Sequence, residues 1–343
     1  MEAEKSPIRG EGAGIIEKED CEYTVARAKK RSEKNTKKNQ EDSTMKTARL
    51  FLTLVLVLAL SGAACAANYR ITLITMDQMD RYWAGVNEGA EKAAAELGNV
   101  NYNWTAPDVK DDAKQIEFIN NAVAAGADAI LLAANGPDAV TSALKEAVDA
   151  GVKIIYVDSP ANFPAEATFT TNNEAAGATA GAELLKALQA AGVNEGRLGI
   201  VNVNAATAST VAREKGFRAT FEGTNYTILQ TQYGEGDVLR SKEIADSFIT
   251  QGVVGLFGAN EGSATGVGNA IQEAGDQVLG VGFDTSNALL ELIRNGHLIA
   301  TMAQNPGVMG YEGVKTAVNA LEGKPVDPTP VDTGVTVLTK DNL

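Results

Sequence analysis

Two Asn–Asp pairs recur at nearly equal spacing: Asn135 and Asp158 are 23 residues apart, Asn260 and Asp284 are 24 apart. In each case an apolar run (129–132 or 253–257) precedes the Asn, a helical stretch follows it, and a second apolar run (153–157 or 278–281) leads into the Asp. An ionised Asp accepts two hydrogen bonds, and Asn offers a donor and an acceptor together. Such a set suits vicinal hydroxyls, which do both at once. Singly, Asp158 and Asn260 also read as turn or N-cap residues; their matched placement argues for a shared site. The loop Met76-Asp77-Gln78-Met79-Asp80-Arg81-Tyr82-Trp83 adds Asp77 and Gln78 directly past a strand end. It also adds Tyr82 and Trp83, plates suited either to the apolar face of a small ring or to helix packing. The single His and the absence of C-x-x-C leave no ligand set for zinc, redox or haem-attachment chemistry. Gly262, Gly266 and Gly268 do not form G-x-G-x-x-G after a strand, and G-x-S-x-G is absent. Neither a cofactor nor a metal is expected, and His297, in a turn, reads as structural.

The elements that position these residues alternate. Apolar runs at 70–75, 100–104, 129–132, 153–157, 198–203, 253–257 and 278–281 are separated by helical stretches such as 81–97 and 112–125. The strands are read as continuously apolar, which implies helices on both faces and parallel pairing. An α/β fold of two similar doubly wound halves follows, each half placing an amide and a carboxylate past the carboxyl ends of neighbouring strands, where open α/β sheets bind ligands. Gly126 and Gly151 are read as left-handed helix ends, and Pro137 and Pro306 as first-turn prolines.

With 343 residues the chain is long enough for two cores. Its net charge of −14 disfavours nucleic acid and anionic membrane surfaces. Residues 1–44 hold ten basic and ten acidic side chains and read as a disordered extension from an over-extended gene start at a chain that properly begins with Met45. Lys46 and Arg49, the apolar run 50–60 and the small residues 61–66 then form a secretory signal peptide, 45–66. Cleavage after Ala64-Cys65-Ala66 is expected; lipid attachment at Cys65 is the alternative, disfavoured by Gly62 three residues earlier. A periplasmic, cysteine-free monomer results.

Several motifs in order now carry a resemblance: Leu131-Leu132-Ala-Ala-Asn135, Val157-Asp158, Val211-Ala-Arg213-Glu-Lys-Gly216-Phe217, Phe257-Gly-Ala-Asn260, Gly282-Phe283-Asp284 and Ala300-Thr301-Met302-Ala303-Gln304-Asn-Pro306. Over residues 69–343 the chain resembles the type I periplasmic solute-binding proteins of bacterial ABC sugar importers, specifically the ribose-binding-like branch. The resemblance implies two lobes joined by a three-segment hinge, 69–171 with 305–331 and 172–304 with 332–343. It implies crossings near Thr171–Asn172, Gln304–Pro306 and Val331–Asp332. It also implies ligand contacts at Asn135, Asp158, Arg213, Asn260, Asp284 and Gln304, and partners in an ABC permease and a chemoreceptor. At about 1.5–3 kcal/mol per hydrogen bond to a charged group, three or four such contacts reach micromolar binding, near −8 kcal/mol. Arg213 also reads as a surface charge on a helix starting near Thr207.

Ribose-binding members usually carry Asn and a Phe pair in the first loop and Arg after the first-lobe Asp. Here stand Asp77-Gln78-Met79 and Ser159. The change makes ribose itself a poor fit and favours a neutral sugar or polyol, or an amine-bearing one, over a sugar phosphate or acid. Competing readings are a chemotaxis or sensor module, an enzyme using Asp158 and Asp284 on a glycosidic bond, and a sugar-responsive DNA-binding regulator. No apolar neighbour of either Asp suggests a raised pKa, and residues 1–44 lack a helix-turn-helix pattern.

Overall fold

The computed structural model describes residues 68–343, and the leader, Cys65 and residues 1–44 lie outside them. Two parallel sheets organise the chain. The first contains β1 (Tyr69–Ile74), β2 (Val100–Thr105), β3 (Ala129–Leu132), β4 (Lys153–Val157) and β5 (Ala167–Thr170). The second contains β6 (Gly196–Asn202), β7 (Tyr226–Ile228), β9 (Val253–Gly258), β10 (Leu279–Phe283) and β11 (Ala300–Gln304), with β8 (Gln232–Tyr233) pairing farther along β6. Late in the chain, β12 (Val331–Asp332) joins the first sheet and β13 (Val335–Thr339) joins the second, antiparallel to β11. The orders are β12-β5-β4-β3-β1-β2 and β13-β11-β10-β9-β6-β7. In each order the winding reverses beside the first strand, between β1 and β3 and between β6 and β9. Those reversals open the crevices where doubly wound sheets hold ligands.

Helices cover both faces of each sheet. On the first sheet, α1 (Tyr82–Leu97) and α9 (Pro306–Leu321) bury Val86, Val314 and Met309 against Leu73 and Leu131, while α2 (Asp112–Ala124) and α3 (Thr141–Asp149) bury Ile119 and Leu144 on the other face. On the second, α4 (Asn173–Ala190) and α5 (Ala208–Thr220) bury Leu184 and Phe217 on one face. The other is covered by α6 (Val238–Thr250), α7 (Glu261–Glu273) and α8 (Asn287–Asn295), through Phe248, Val267 and Leu289. Each fully buried side chain of this size contributes roughly 1.5–3 kcal/mol, so each sheet is anchored by its own two cores.

Two sequence expectations need correction. The run β2 is not continuously apolar: Val-Asn-Tyr-Asn-Trp-Thr alternates because it is an edge strand with one face towards solvent. Pro137 is not a first-turn proline, since it opens a turn that precedes α3 by several residues, whereas Pro306 does begin α9. Gly126 and Gly151 follow their helices with φ of 79° and 91°, the left-handed backbone that favours glycine.

The chain passes between the sheets three times: between β5 and α4, between β11 and α9, and between β12 and β13. Side chains strap these passages together. Thr171 Oγ1 donates to Gln304 Oε1 at 2.8 Å, the Asn172 amide donates to Asp332 Oδ1 at 2.9 Å, and Asn305 Nδ2 donates to the Thr333 carbonyl at 2.7 Å. Asp332 still pairs with Thr170 in the first sheet, so the third passage runs through Thr333 and Gly334.

Helix α4 crosses α5 at glycine-mediated contact. A Cβ on Gly177 would lie 2.0 Å from the Arg213 carbonyl oxygen, and one on Gly216 would lie 1.9 Å from that of Glu174. Backbone blocks both positions, so the helices would have to part. Gly177→Ala is therefore expected to destabilise the protein by about 1–3 kcal/mol, read as a lower urea midpoint, and to displace Arg213. A variant with wild-type stability would show that the crossing tolerates expansion.

Candidate ligand-binding site

The two halves of the repeat place their carboxylates by the same local geometry. Asp158, directly after β4, and Asp284, directly after β10, both adopt left-handed backbone, with φ of 62° and 74°. The Asp158 amide donates to the Phe169 carbonyl at 2.8 Å, and the Asp158 carbonyl accepts from Thr170 Oγ1 at 2.6 Å. The Asp284 amide donates to the Met302 carbonyl at 2.9 Å, and its carbonyl accepts from Thr301 Oγ1 at 2.9 Å. Asp is among the few L residues that enter this region at modest cost, and a strained backbone held from both sides is characteristic of binding positions.

Both carboxylates line one small cavity of about 20 Å³ between the lobes, walled by Tyr82, Arg213, Asn260 and Gln304 among others. Tyr82 donates its hydroxyl to Asp158 Oδ2 at 2.9 Å; Trp83 lies edge-on to it with centroids 5.0 Å apart. Arg213 is buried, not a surface charge. Its Nε donates to Asn173 Oδ1 (2.8 Å), its Nη1 to the Ala259 carbonyl (3.0 Å), and its Nη2 lies 3.7 Å from Asp158 Oδ2 across the lobes. The guanidinium also stacks 4.2 Å over the Phe283 ring. Asn260 caps α7 by accepting from the Ser263 amide and also donates to Asp80 of the opposite lobe at 3.2 Å, so its turn role and its cleft role coexist. Gln304 Nε2 donates to Asp284 Oδ1 at 2.6 Å.

Three expected residues do not line the cavity. The Asp77 carboxylate turns inward, accepting the Met79 and Asp80 amides at 2.7 Å and pairing with Lys110 Nζ at 2.5 Å, which spends it on shaping the loop. Gln78 is exposed and donates to the Ala106 carbonyl. Asn135 donates to Asp112 Oδ1 at 2.5 Å, and its carbonyl accepts from Thr207 Oγ1 of the second lobe at 3.0 Å, so it joins the lobes beside the cavity.

Sequence reasoning missed Asp80, Lys110, Thr207, Ser209 and Thr210, all of which line the cavity. Lys110 had a visible signal: it is the one cation among Asp108, Asp111 and Asp112 past the end of β2. Ser209 meets the first lobe directly, its Oγ hydrogen-bonded to Ser159 Oγ at 2.6 Å while the Ser159 hydroxyl donates to Asp158. Together with Asn260–Asp80 and Arg213–Asp158, these contacts describe closed lobes.

Burial sets the electrostatics. It pushes the Asp284 carboxyl up to about 7 despite Arg213, correcting the expectation of unperturbed acceptors, and pushes Asp80 up to about 6 against the pull of Lys110. Burial also opposes the Lys110 charge, but Asp80 and Asp77 outweigh it and hold the ammonium above its ordinary value. The Tyr82 phenol is raised well above its usual range by burial and then by Asp158. Among the described residues no group of three His, Cys, Asp or Glu side chains is placed to hold a metal ion.

Residues 71–325 match the periplasmic binding protein domain. The chain belongs to that family. It is 28% identical to the ribose import binding protein RbsB of Escherichia coli strain K12 over 291 residues, 82% of this chain and 95% of the relative. It is 26% identical to the D-allose-binding periplasmic protein of the same organism over 294 residues, 81% and 93% of the two chains. A carbohydrate transporter solute binding protein from Agrobacterium radiobacter, solved in complex with D-arabinose, superposes with a TM-score of 0.77 at 31% identity, covering 80% of this chain and 96% of that one. A solute binding protein from Agrobacterium vitis with bound D-fucose gives 0.75 at 29%, with 80% and 96% covered. The two lobes are those of the type I binding-protein fold.

The raised carboxyls fix a pH dependence. A carboxyl whose folded pKa lies above its unfolded value near 4 stabilises the fold most below that value, and the contribution is lost as pH rises towards the folded pKa. Asp284→Asn is therefore expected to gain stability relative to wild type by on the order of 1 kcal/mol per pH unit between about 4 and 7, levelling off above. Chemical denaturation at several pH values measures it, and a difference that does not change with pH would contradict the burial of Asp284.

Proposed function

We propose that this protein captures a small sugar-like, polyhydroxylated solute in the cleft between its lobes and delivers it unchanged, outside the cytoplasm, to an ABC permease. The reading rests on the twin carboxylates. Asp158 and Asp284 reach one cavity from equivalent strand ends of opposite lobes, flanked by the Arg213 fork, the amides of Asn260 and Gln304, and the Tyr82 and Trp83 rings. Hydroxyls donate to such acceptors and accept from such donors, while the rings cover an apolar C–H face. The relatives whose names or bound ligands are ribose, allose, arabinose and fucose support the same chemistry.

Closure follows from the same contacts. A solute bridging Asp158 and Asp284 binds both lobes at once, so its differential affinity favours the closed form, and closed lobes are what a permease reads. Non-enzymatic action fits the site, because Asp284 is held by Gln304 and Asp158 by Tyr82 and Ser159, leaving each an acceptor rather than a nucleophile. The same closure would serve a chemoreceptor or sensor.

A thermal-shift screen against pentoses, hexoses and polyols tests the proposal. A solute at 100 times its Kd adds about 2.7 kcal/mol, a shift of several degrees for a chain of this size. Asp158→Ala is expected to abolish the shift while the ligand-free variant still unfolds cooperatively. Undiminished binding by Asp158→Ala, or solute chemically altered on recovery, would contradict it.

A further inference from the structure

Charge in the closed cleft does not balance. Three carboxylates, Asp80, Asp158 and Asp284, line the cavity, and the buried Asp77 and Glu261 add negative charge near Asp80. Two cations, Lys110 and Arg213, face them. Position 159, beside Asp158, holds Ser and supplies no charge.

Both cations are already engaged. Arg213 divides its donors among Asn173, the Ala259 carbonyl and Asp158. Lys110 sits 2.5 Å from Asp77 and 3.8 Å from Asp80, so Asp77 takes the tighter pair and Asp80 the remainder. Asp284 has the amide of Gln304 on Oδ1, and among the described residues its Oδ2 accepts no hydrogen bond although the residue is 4% exposed and lines the cavity. That oxygen opens onto the cavity without a protein donor.

Building on the sugar-like reading above, we infer that the preferred solute of this cleft is an amine-bearing polyol, an amino or imino sugar, whose ammonium is received by Asp284 and Asp80. A neutral polyol supplies donors but no charge, so closing over it leaves Asp284 without an ion-pair partner and Asp80 sharing Lys110 with Asp77 in a desolvated space. An ammonium supplies up to three donors and the missing charge together. A sugar acid or sugar phosphate adds to the excess and is rejected. Burial already drives Asp284 and Asp80 towards protonation more strongly than Arg213 and Lys110 oppose it.

Isothermal titration at pH 7 with matched pairs tests the inference: D-glucosamine against D-glucose, D-galactosamine against D-galactose, and 1,4-dideoxy-1,4-imino-D-arabinitol against D-arabinose. In at least one pair the amine should bind ten-fold or more tightly than its neutral parent, and N-acetylation of a hexosamine should erase the gain. Asp80→Asn should shrink the ratio between amine and parent, a comparison made within one variant that global instability does not mimic. If neutral parents bind and no amine binds more tightly, this inference fails while the sugar-like reading stands. If neither class binds, both fail.

Discussion

Lobe closure buries carboxylates, and that single cost organises the structure. Asp158 and Asp284 lose water when the lobes meet, so each must find donors within the cleft or from a guest. The fold supplies part of them: Tyr82 and Ser159 to Asp158, Gln304 to Asp284, with Arg213 near Asp158 across the lobes. What remains unsatisfied is directed at the cavity. Affinity and closure therefore share one origin, because a guest that satisfies both lobes stabilises the state in which they touch.

The left-handed backbone at both Asp residues is the local device that makes this possible. A chain leaving a parallel strand in ordinary helical or extended geometry would carry the side chain elsewhere. Here each bend is clamped by an amide bonded to the neighbouring strand and a Thr hydroxyl on the Asp carbonyl. The hinge is tied to the same groups. Gln304 accepts from Thr171 at one crossover and donates to Asp284 in the cavity, so one amide links the passage between lobes to the second-lobe carboxylate. The glycine crossing of α4 and α5 seats Arg213 with comparable economy, its own backbone being what Gly177 must clear.

Most of the architecture was readable from the chain because its signals are local. Apolar runs, glycine helix ends and the near-equal Asn–Asp spacings fix strands, helices and the repeat within windows of a few tens of residues. Asp158, Asp284 and Asn260 were legible for the same reason, each standing just past a strand, whereas Arg213 and Gln304 came from the family resemblance alone. Side-chain direction was not legible. Asp77 and Asp80 lie three residues apart in one loop, and only the turn that folds Asp77 back onto its own amides decides that Asp80 faces the cleft. Lys110, Thr207 and Ser209 depend on long-range closure, and the raised Asp284 carboxyl depends on burial from two lobes, neither of which a linear pattern encodes.

Native mass spectrometry addresses the central claim most directly. After incubation with a mixture of sugars and amino sugars, the protein should gain one mass increment equal to an intact solute, released unchanged on dialysis, and Asp158→Ala should show none. A product-sized or covalent increment, or equal loading of the variant, would contradict a cleft that grips through paired carboxylates and leaves its guest unaltered.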